Sequence, residues 1–216
     1  MKHIALLTTL LLSASLQAVE KPYDYVFFEN SLMKGDYFYS QAKYTSPSWI
    51  KNARHHLPVA GSVAFTPGNS LELTYVSAPG GDWYSEIQYC PVRGNDFFRE
   101  PSTLSLQVQL RESMNAAALP NIAIRYADST YTQYLNLRNY LKDTRPGVWH
   151  PVSIPLEDFG LNAVNDTNIK KLAAVALRPG TADGNEYTIY LDDIELLPAS
   201  LPSVSALNAP VLQEAK

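Results

Sequence analysis

The chain carries one cysteine, Cys90, in 216 residues. A lone thiol closes no internal disulfide, so stability has to come from a packed apolar core and not from covalent staples. Cys90 reads either as a small buried apolar residue or as a reactive thiol. Charge of one sign is lacking too: 17 Lys and Arg stand against 21 Asp and Glu, a net charge of −4, and neither sign clusters. With no basic stripe to follow a phosphate backbone, the composition points to no nucleic acid partner. The chain also lacks any long apolar run. Ile4 to Leu12, interrupted by Thr8 and Thr9, falls well short of the roughly 20 residues that span a bilayer, so no membrane span is expected. Histidine is scarce. Of His3, His55, His56 and His150, the adjacent pair diverges on a strand, and no ligand-spaced His or Cys completes a zinc site.

Among what is present, the first residues read as an address label. Lys2 and His3 precede the apolar run, and Ser13, Ser15 and Ala18 follow it, the pattern of a signal peptide over 1–18. The protein is therefore expected to be secreted or periplasmic. Residues 19–197 form one domain, and 198–216, rich in Pro, Ala and Ser, reads as a disordered tail or linker. Tyrosine is abundant, with 14 against 7 phenylalanines. It suits pleated, half-buried surfaces and surfaces that grip ligands, having an apolar ring and a polar tip.

Short alternating runs predict strands near 24–29, 36–42, 60–65, 70–76, 83–90, 103–111, 121–126, 132–138, 149–154, 172–178 and 186–196. In 103–111, Leu104, Leu106, Val108 and Leu110 oppose Ser105, Gln107, Gln109 and Arg111, the period of two that a sheet with one buried face produces. Turns are marked by Pro67-Gly68-Asn69, Pro79-Gly80-Gly81-Asp82, Asp128-Ser129 and Arg145-Pro146-Gly147. Helix is confined to one or two short turns, one over Asp166 to Leu172 and another at Glu157-Asp158-Phe159. The expected fold is all-β, an antiparallel β-sandwich of the jelly-roll type.

Three segments carry a family resemblance: Phe27-Phe28-Glu29-Asn30-Ser31; Gly147-Val148-Trp149-His150-Pro151-Val152-Ser153-Ile154-Pro155-Leu156-Glu157-Asp158-Phe159; and Tyr187-Thr188-Ile189-Tyr190-Leu191-Asp192-Asp193-Ile194-Glu195-Leu196, preceded by Asn168 to Leu172. In order and spacing they resemble the galactose-binding-like jelly-roll superfamily, which holds many non-catalytic carbohydrate-binding modules. The resemblance implies a structural calcium ion between the first and last strands, at Glu29 and at one of Asp192 and Asp193. Neighbouring residues face opposite sides of a strand, and Asp193 is the one expected to turn inward.

For the ligand, the outer positions of the alternating strands combine tyrosine, amide, carboxylate and guanidinium groups: Tyr84 and Glu86, Gln107, Arg125, then Tyr134, Asn136 and Arg138. Aromatic rings meet the C–H face of a pyranose while amide and Arg forks bond its hydroxyls, so a glycan is the expected partner. Trp83, beside the Gly80-Gly81-Asp82 turn, is a rival platform, whereas Trp49 and Trp149 read as core or edge packing. The bland alternative is a wet sheet face in which Arg125 and Arg138 pair with Glu86 as a surface ladder. Two other functions remain open. One is a structural or protein-binding envelope module, with a partner protein or enzyme. The other is a jelly-roll polysaccharide lyase using Tyr134, Asn136, Arg138, Arg125 and Gln107.

Overall fold

A computed structural model describes residues 25–89, 101–161 and 172–198. Its strands are β1 (Tyr25–Phe28), β2 (Ser40–Thr45), β3 (Trp49–Ile50), β4 (Val59–Ala60), β5 (Ser70–Val76), β6 (Asp82–Gln88), β7 (Pro101–Leu110), β8 (Asn121–Tyr126), β9 (Leu135–Asn136), β10 (Trp149–Pro155), β11 (Leu172–Arg178) and β12 (Glu186–Pro198). Every strand pairing is antiparallel. One sheet runs β10-β7-β12-β5-β3, with β1 added to β12 and β4 to β5; the other runs β2-β6-β11-β8-β9. The long β12 organises the first sheet. β5 flanks its first half and β1 its second, so the two ends of the domain meet on one strand.

The period-two pattern seals the space between the sheets. From the first come Leu104, Leu106, Val108 and Leu110 of β7, Leu71, Leu73 and Tyr75 of β5, and Ile189, Leu191, Ile194 and Leu196 of β12. From the second come Trp83 and Ile87 of β6, Ile122 and Ile124 of β8, and Val175 and Leu177 of β11. Fully burying one such side chain is worth roughly 1.5–3 kcal/mol, and their sum drives the collapse. Tyr75 and Trp83 bridge the layers with ring centroids 4.8 Å apart. Their polar tips are satisfied, Tyr75 Oη donating to the Ala118 carbonyl and Trp83 Nε1 to Ser77 Oγ.

The all-β sandwich and most strand positions match the sequence pattern. Three strands differ, each for a local reason. The run 36–42 yields a strand only from Ser40, because Tyr37 is pinned in a loop by its N–H to the Leu57 carbonyl and its hydroxyl to the Phe27 carbonyl. The run 60–65 is a loop after β4, held onto β12 by Phe65 and Thr66 N–H groups bonding Asp192 Oδ2. The run 132–138 contributes only β9, because the Asn136 side chain accepts from Arg138 N–H and starts a 3₁₀ turn at Leu137–Asn139. The turn at Glu157–Phe159 forms within the 3₁₀ segment Leu156–Phe159. Cys90, the 1–18 signal, the 199–216 part of the tail and the helical turn proposed before Leu172 lie outside the described residues.

β11 is anchored at its end by a close approach. Asn121 Nδ2 donates to the Pro179 carbonyl and Thr181 N–H to the Ala117 carbonyl. A Cβ on the intervening Gly180 would stand 2.2 Å from the Leu119 carbonyl oxygen and 2.7 Å from that of Ala117. Gly180→Ala is predicted to lower stability by about 1–3 kcal/mol, the usual cost of overpacking, measured as a shift in urea midpoint without change in slope.

Candidate functional site

The outer face of the second sheet is built in registered rows. Gln41 of β2 opposes Glu86 of β6, which opposes Ala176 of β11, which opposes Ala123 of β8. In the next row Lys43 opposes Tyr84, and Arg178 opposes Asn121, itself paired with Asn136 of β9. The alanines leave room above the sheet. The segment after β8 turns tightly at Asp128-Ser129, where Ser129 has φ 69° and Asp128 Oδ1 accepts from Thr130 N–H and Oγ1. It returns as a bridge from Tyr131 to Arg125, which lays Tyr131 and Tyr134 over that space.

Two networks result. In the first, Tyr131 Oη donates to Glu86 Oε1 at 3.0 Å, Tyr84 Oη lies 3.3 Å from Tyr131 Oη, and Arg125 Nε sits 2.6 Å from Glu86 Oε1. The Arg125 N–H does not point at that oxygen, so the contact is an ion pair and not a hydrogen bond; Nη1 instead donates to the Tyr126 carbonyl. The side chains of Glu86 and Arg125 are only 4% and 15% exposed, too buried for a surface ladder. In the second network, the Arg178 guanidinium lies between two rings, 5.6 Å from the centroid of Tyr84 and 5.7 Å from that of Tyr134. It donates to Tyr134 Oη and to Asp82 Oδ2, both at 3.2 Å, and Tyr131 stacks on Tyr134 at 6.0 Å. Burial, then bonding to Glu86 and Tyr131, holds the Tyr84 phenol far above its ordinary value. Burial also raises Tyr134, against the lowering effect of Arg178. Both stay protonated at neutral pH and serve as hydroxyls, not as bases.

Residues 24–197 match the model of carbohydrate binding domain 30. The chain belongs to that family. As a family 30 module it binds a glycan and holds it, without itself catalysing a reaction. It is similar, at 99% identity over all of its 216 residues, to an exo beta-1,2-glucooligosaccharide sophorohydrolase (non-reducing end) of Parabacteroides distasonis, and spans only 30% of that protein's length. The crystal structure of a beta-1,2-glucanase from Parabacteroides distasonis superposes with a TM-score of 0.80 at 99% identity, over 91% of this chain and 28% of that one. A family 30 module from a cellulosomal cellulase of Clostridium thermocellum shares the fold at a TM-score of 0.59 and 17% identity, over 82% of this chain and 99% of its own.

The module's structure brings together Tyr84, Glu86 and Arg125, as the strand alternation predicts, adds Tyr134 from the segment just before β9, and places Asn136 at the margin of the same face. There Asn136 is spent on structure, its amide donating to the Leu119 carbonyl and to Asn121 Oδ1. Arg138 is exposed on the 3₁₀ turn and not on a strand. Two expected residues lie elsewhere. Trp83 is fully buried against Tyr75, so its ring meets no ligand. Gln107 belongs to the other sheet, opposite Asp192 and Pro151. The set of groups weighed for a lyase is therefore not assembled. Tyr131, Arg178 and Asp82 are the residues that sequence reasoning missed. Arg178 alternates with the inward Val175 and Leu177, on the parity of Ala174 and Ala176, and was detectable by that alternation. Tyr131 lies in a turn and carried no such signal.

The calcium expectation does not fit this donor set. Asp192, not Asp193, is the buried carboxylate; Asp193 has φ 45°, and its Oδ2 accepts from Thr66 Oγ1. Asp192 Oδ2 accepts from Phe65 and Thr66 N–H, and Oδ1 from Asp193 N–H. Burial pushes its carboxyl up to about 6, opposed by those amide bonds. Glu29 is exposed, and no cluster of three His, Cys, Asp or Glu occurs among the described residues. Both lone pairs of Asp192 Oδ2 and one of Oδ1 are already taken by N–H donors, which leaves little of this buried carboxylate for a hard cation. Excess chelator is predicted to leave the melting temperature unchanged; a clear drop would restore a metal to this end of the sandwich. Glu86→Ala, by contrast, strands Arg125 in a buried setting and is predicted to cost roughly 3–5 kcal/mol in urea unfolding. Replacing both residues by apolar ones should recover much of that loss.

Proposed function

We propose that the face built from Tyr84, Glu86, Arg125, Tyr131, Tyr134 and Arg178 holds a neutral β-linked glucan outside the cytoplasm, and that the module keeps this polymer near the catalytic part of a longer protein. The observation that carries the reading is the ladder in which Arg178 lies between the Tyr84 and Tyr134 rings. The ladder is rigid before any ligand arrives. A sugar resting on its edges and on the partly exposed Tyr131 ring costs little side-chain ordering.

Charge supports a neutral ligand. Glu86 is matched by Arg125, and Arg178 by Asp82, so neither network carries a spare cation to attract a uronate; Lys43, across from Tyr84, stands on the exposed β2 edge. The near-identical relative bears a name that specifies β-1,2-glucooligosaccharides, and β-1,2-linked glucan is the polymer this reading favours. The chain is the smaller part of that relative's length, consistent with a module carried beside a catalytic region.

Isothermal titration of the chain with soluble β-1,2-glucan tests this. Tyr131→Ala and Arg178→Ala are predicted to weaken binding about tenfold or more each, since each removes a planar surface or the guanidinium that supports two. Unchanged affinity in both variants would remove the face from consideration. Preference for a uronate polymer would overturn the charge argument.

A further inference from the structure

A second constellation lies beyond the β2 edge of the same sheet, away from the tyrosine ladder. A cleft of about 210 Å³ is lined by Met33, Asp36, Phe38, Arg54 and His56. That is below the roughly 300–1,000 Å³ of drug-sized pockets and leaves room for about one sugar ring. Phe38 is 66% exposed, although its ring makes an edge contact with Tyr39 and lies 5.8 Å from the His56 ring. Met33, itself 56% exposed, lines the same cleft, so the two side chains form an exposed apolar patch at its mouth.

The polar groups around it are held in place. Arg54 donates from Nε and Nη2 to the two oxygens of the buried Asp36, each at 2.9 Å. Among the described residues its Nη1 has no partner. His56 Nδ1 bonds the Ser40 carbonyl. A carbonyl only accepts, so Nδ1 carries a proton, and in the Nδ1–H tautomer Nε2 is an acceptor without a partner among the described residues. The supporting loop is tightly tied: Ala53 and His56 exchange both backbone hydrogen bonds, and Ala42 N–H takes the His55 carbonyl. Within it Arg54 and His55 hold φ values of 54° and 68°. Both central residues of a two-residue hairpin turn of this kind take positive φ, so these values follow from the turn that the Ala53–His56 pairing closes and fix where the Arg54 side chain starts.

We infer that this cleft is a second glycan subsite, taking a single pyranose. Phe38 receives the C–H face of the ring and Met33 forms an apolar wall. One hydroxyl donates to His56 Nε2 and its neighbour accepts from Arg54 Nη1, so the pair reads a vicinal diol. The Arg54 charge is balanced by Asp36, which again suits an uncharged sugar. The inference rests on the glycan-binding reading but uses none of the residues of the tyrosine face.

Titration of the full chain with a soluble β-1,2-gluco-oligosaccharide separates the two sites. The wild type is expected to take two equivalents. Phe38→Ala should weaken one site at least about tenfold with the melting temperature retained, and His56→Gln, which keeps an acceptor, should weaken it less. The double variant Tyr131→Ala, Tyr134→Ala should retain the Phe38 site. Loss of all binding in that double variant, with Phe38→Ala behaving as wild type, overturns the cleft and leaves the face standing. Loss confined to Phe38→Ala keeps the cleft and sinks the face. Absence of binding by the wild type overturns both. As an independent readout, the imidazole resonances of His56 should shift on saturation with the sugar, and unshifted resonances would contradict the subsite.

Discussion

The outer face of the second sheet depends on one desolvated ion pair. Glu86 and Arg125 have lost nearly all their water, and neither charge is tolerable there without the other. Their proximity follows from sheet register. Ala174 and Ala176 of β11 stand between β6 and β8, and methyl groups are the only side chains short enough to let a guanidinium reach across them. A leucine at either place would separate the pair. The same low floor lets Tyr131 fold inward and donate its hydroxyl to Glu86. Small residues, the buried pair and the tyrosine cover are thus one device.

What that device produces is a rigid, electrically quiet surface. The Tyr84–Arg178–Tyr134–Tyr131 stack is locked by ring contacts and by hydrogen bonds to Glu86 and Asp82. Sugars make weak contacts individually, and a surface that had to organise itself on binding would lose much of their benefit. Raised phenol pKa values fit the same picture, because a hydroxyl that stays protonated offers both a donor and an acceptor to a polyol.

Sandwich architecture was legible because alternation and burial are the same fact seen twice: Leu104, Leu106, Val108 and Leu110 could only face inward. That parity also placed Tyr84, Glu86 and Arg125 outward; Trp83, expected as a rival ligand platform, shares the parity of Ile87 and is buried in the core. What escaped the sequence was long-range pairing. Gln107 has the right parity, yet β7 was recruited to the other sheet by β12 and β10, a choice made by contacts far apart in the chain. Tyr131 reaches the site through a turn conformation, and the 132–138 run lost its strand to a local Asn136 cap. Side-chain hydrogen bonds to backbone compete with ladders in just such short segments.

The two outer faces divide labour by how each treats its carboxylate. On the first sheet Asp192 is fully enclosed, its oxygens given to Phe65, Thr66 and Asp193 N–H groups. Its role is to fasten the 61–66 loop onto the strand where β1 and β5 converge. That carboxylate satisfies backbone donors that would otherwise be buried unpaired, which makes it structural and silent toward ligands. On the second sheet Glu86 is matched by side chains instead, a guanidinium and a phenol, whose outer surfaces remain at the boundary with water. A backbone-bonded carboxylate closes a face, whereas a side-chain-bonded one supports groups that can still meet a partner. This difference, more than the count of polar residues on either side, is what supports the β2-β6-β11-β8-β9 sheet as the proposed recognition face.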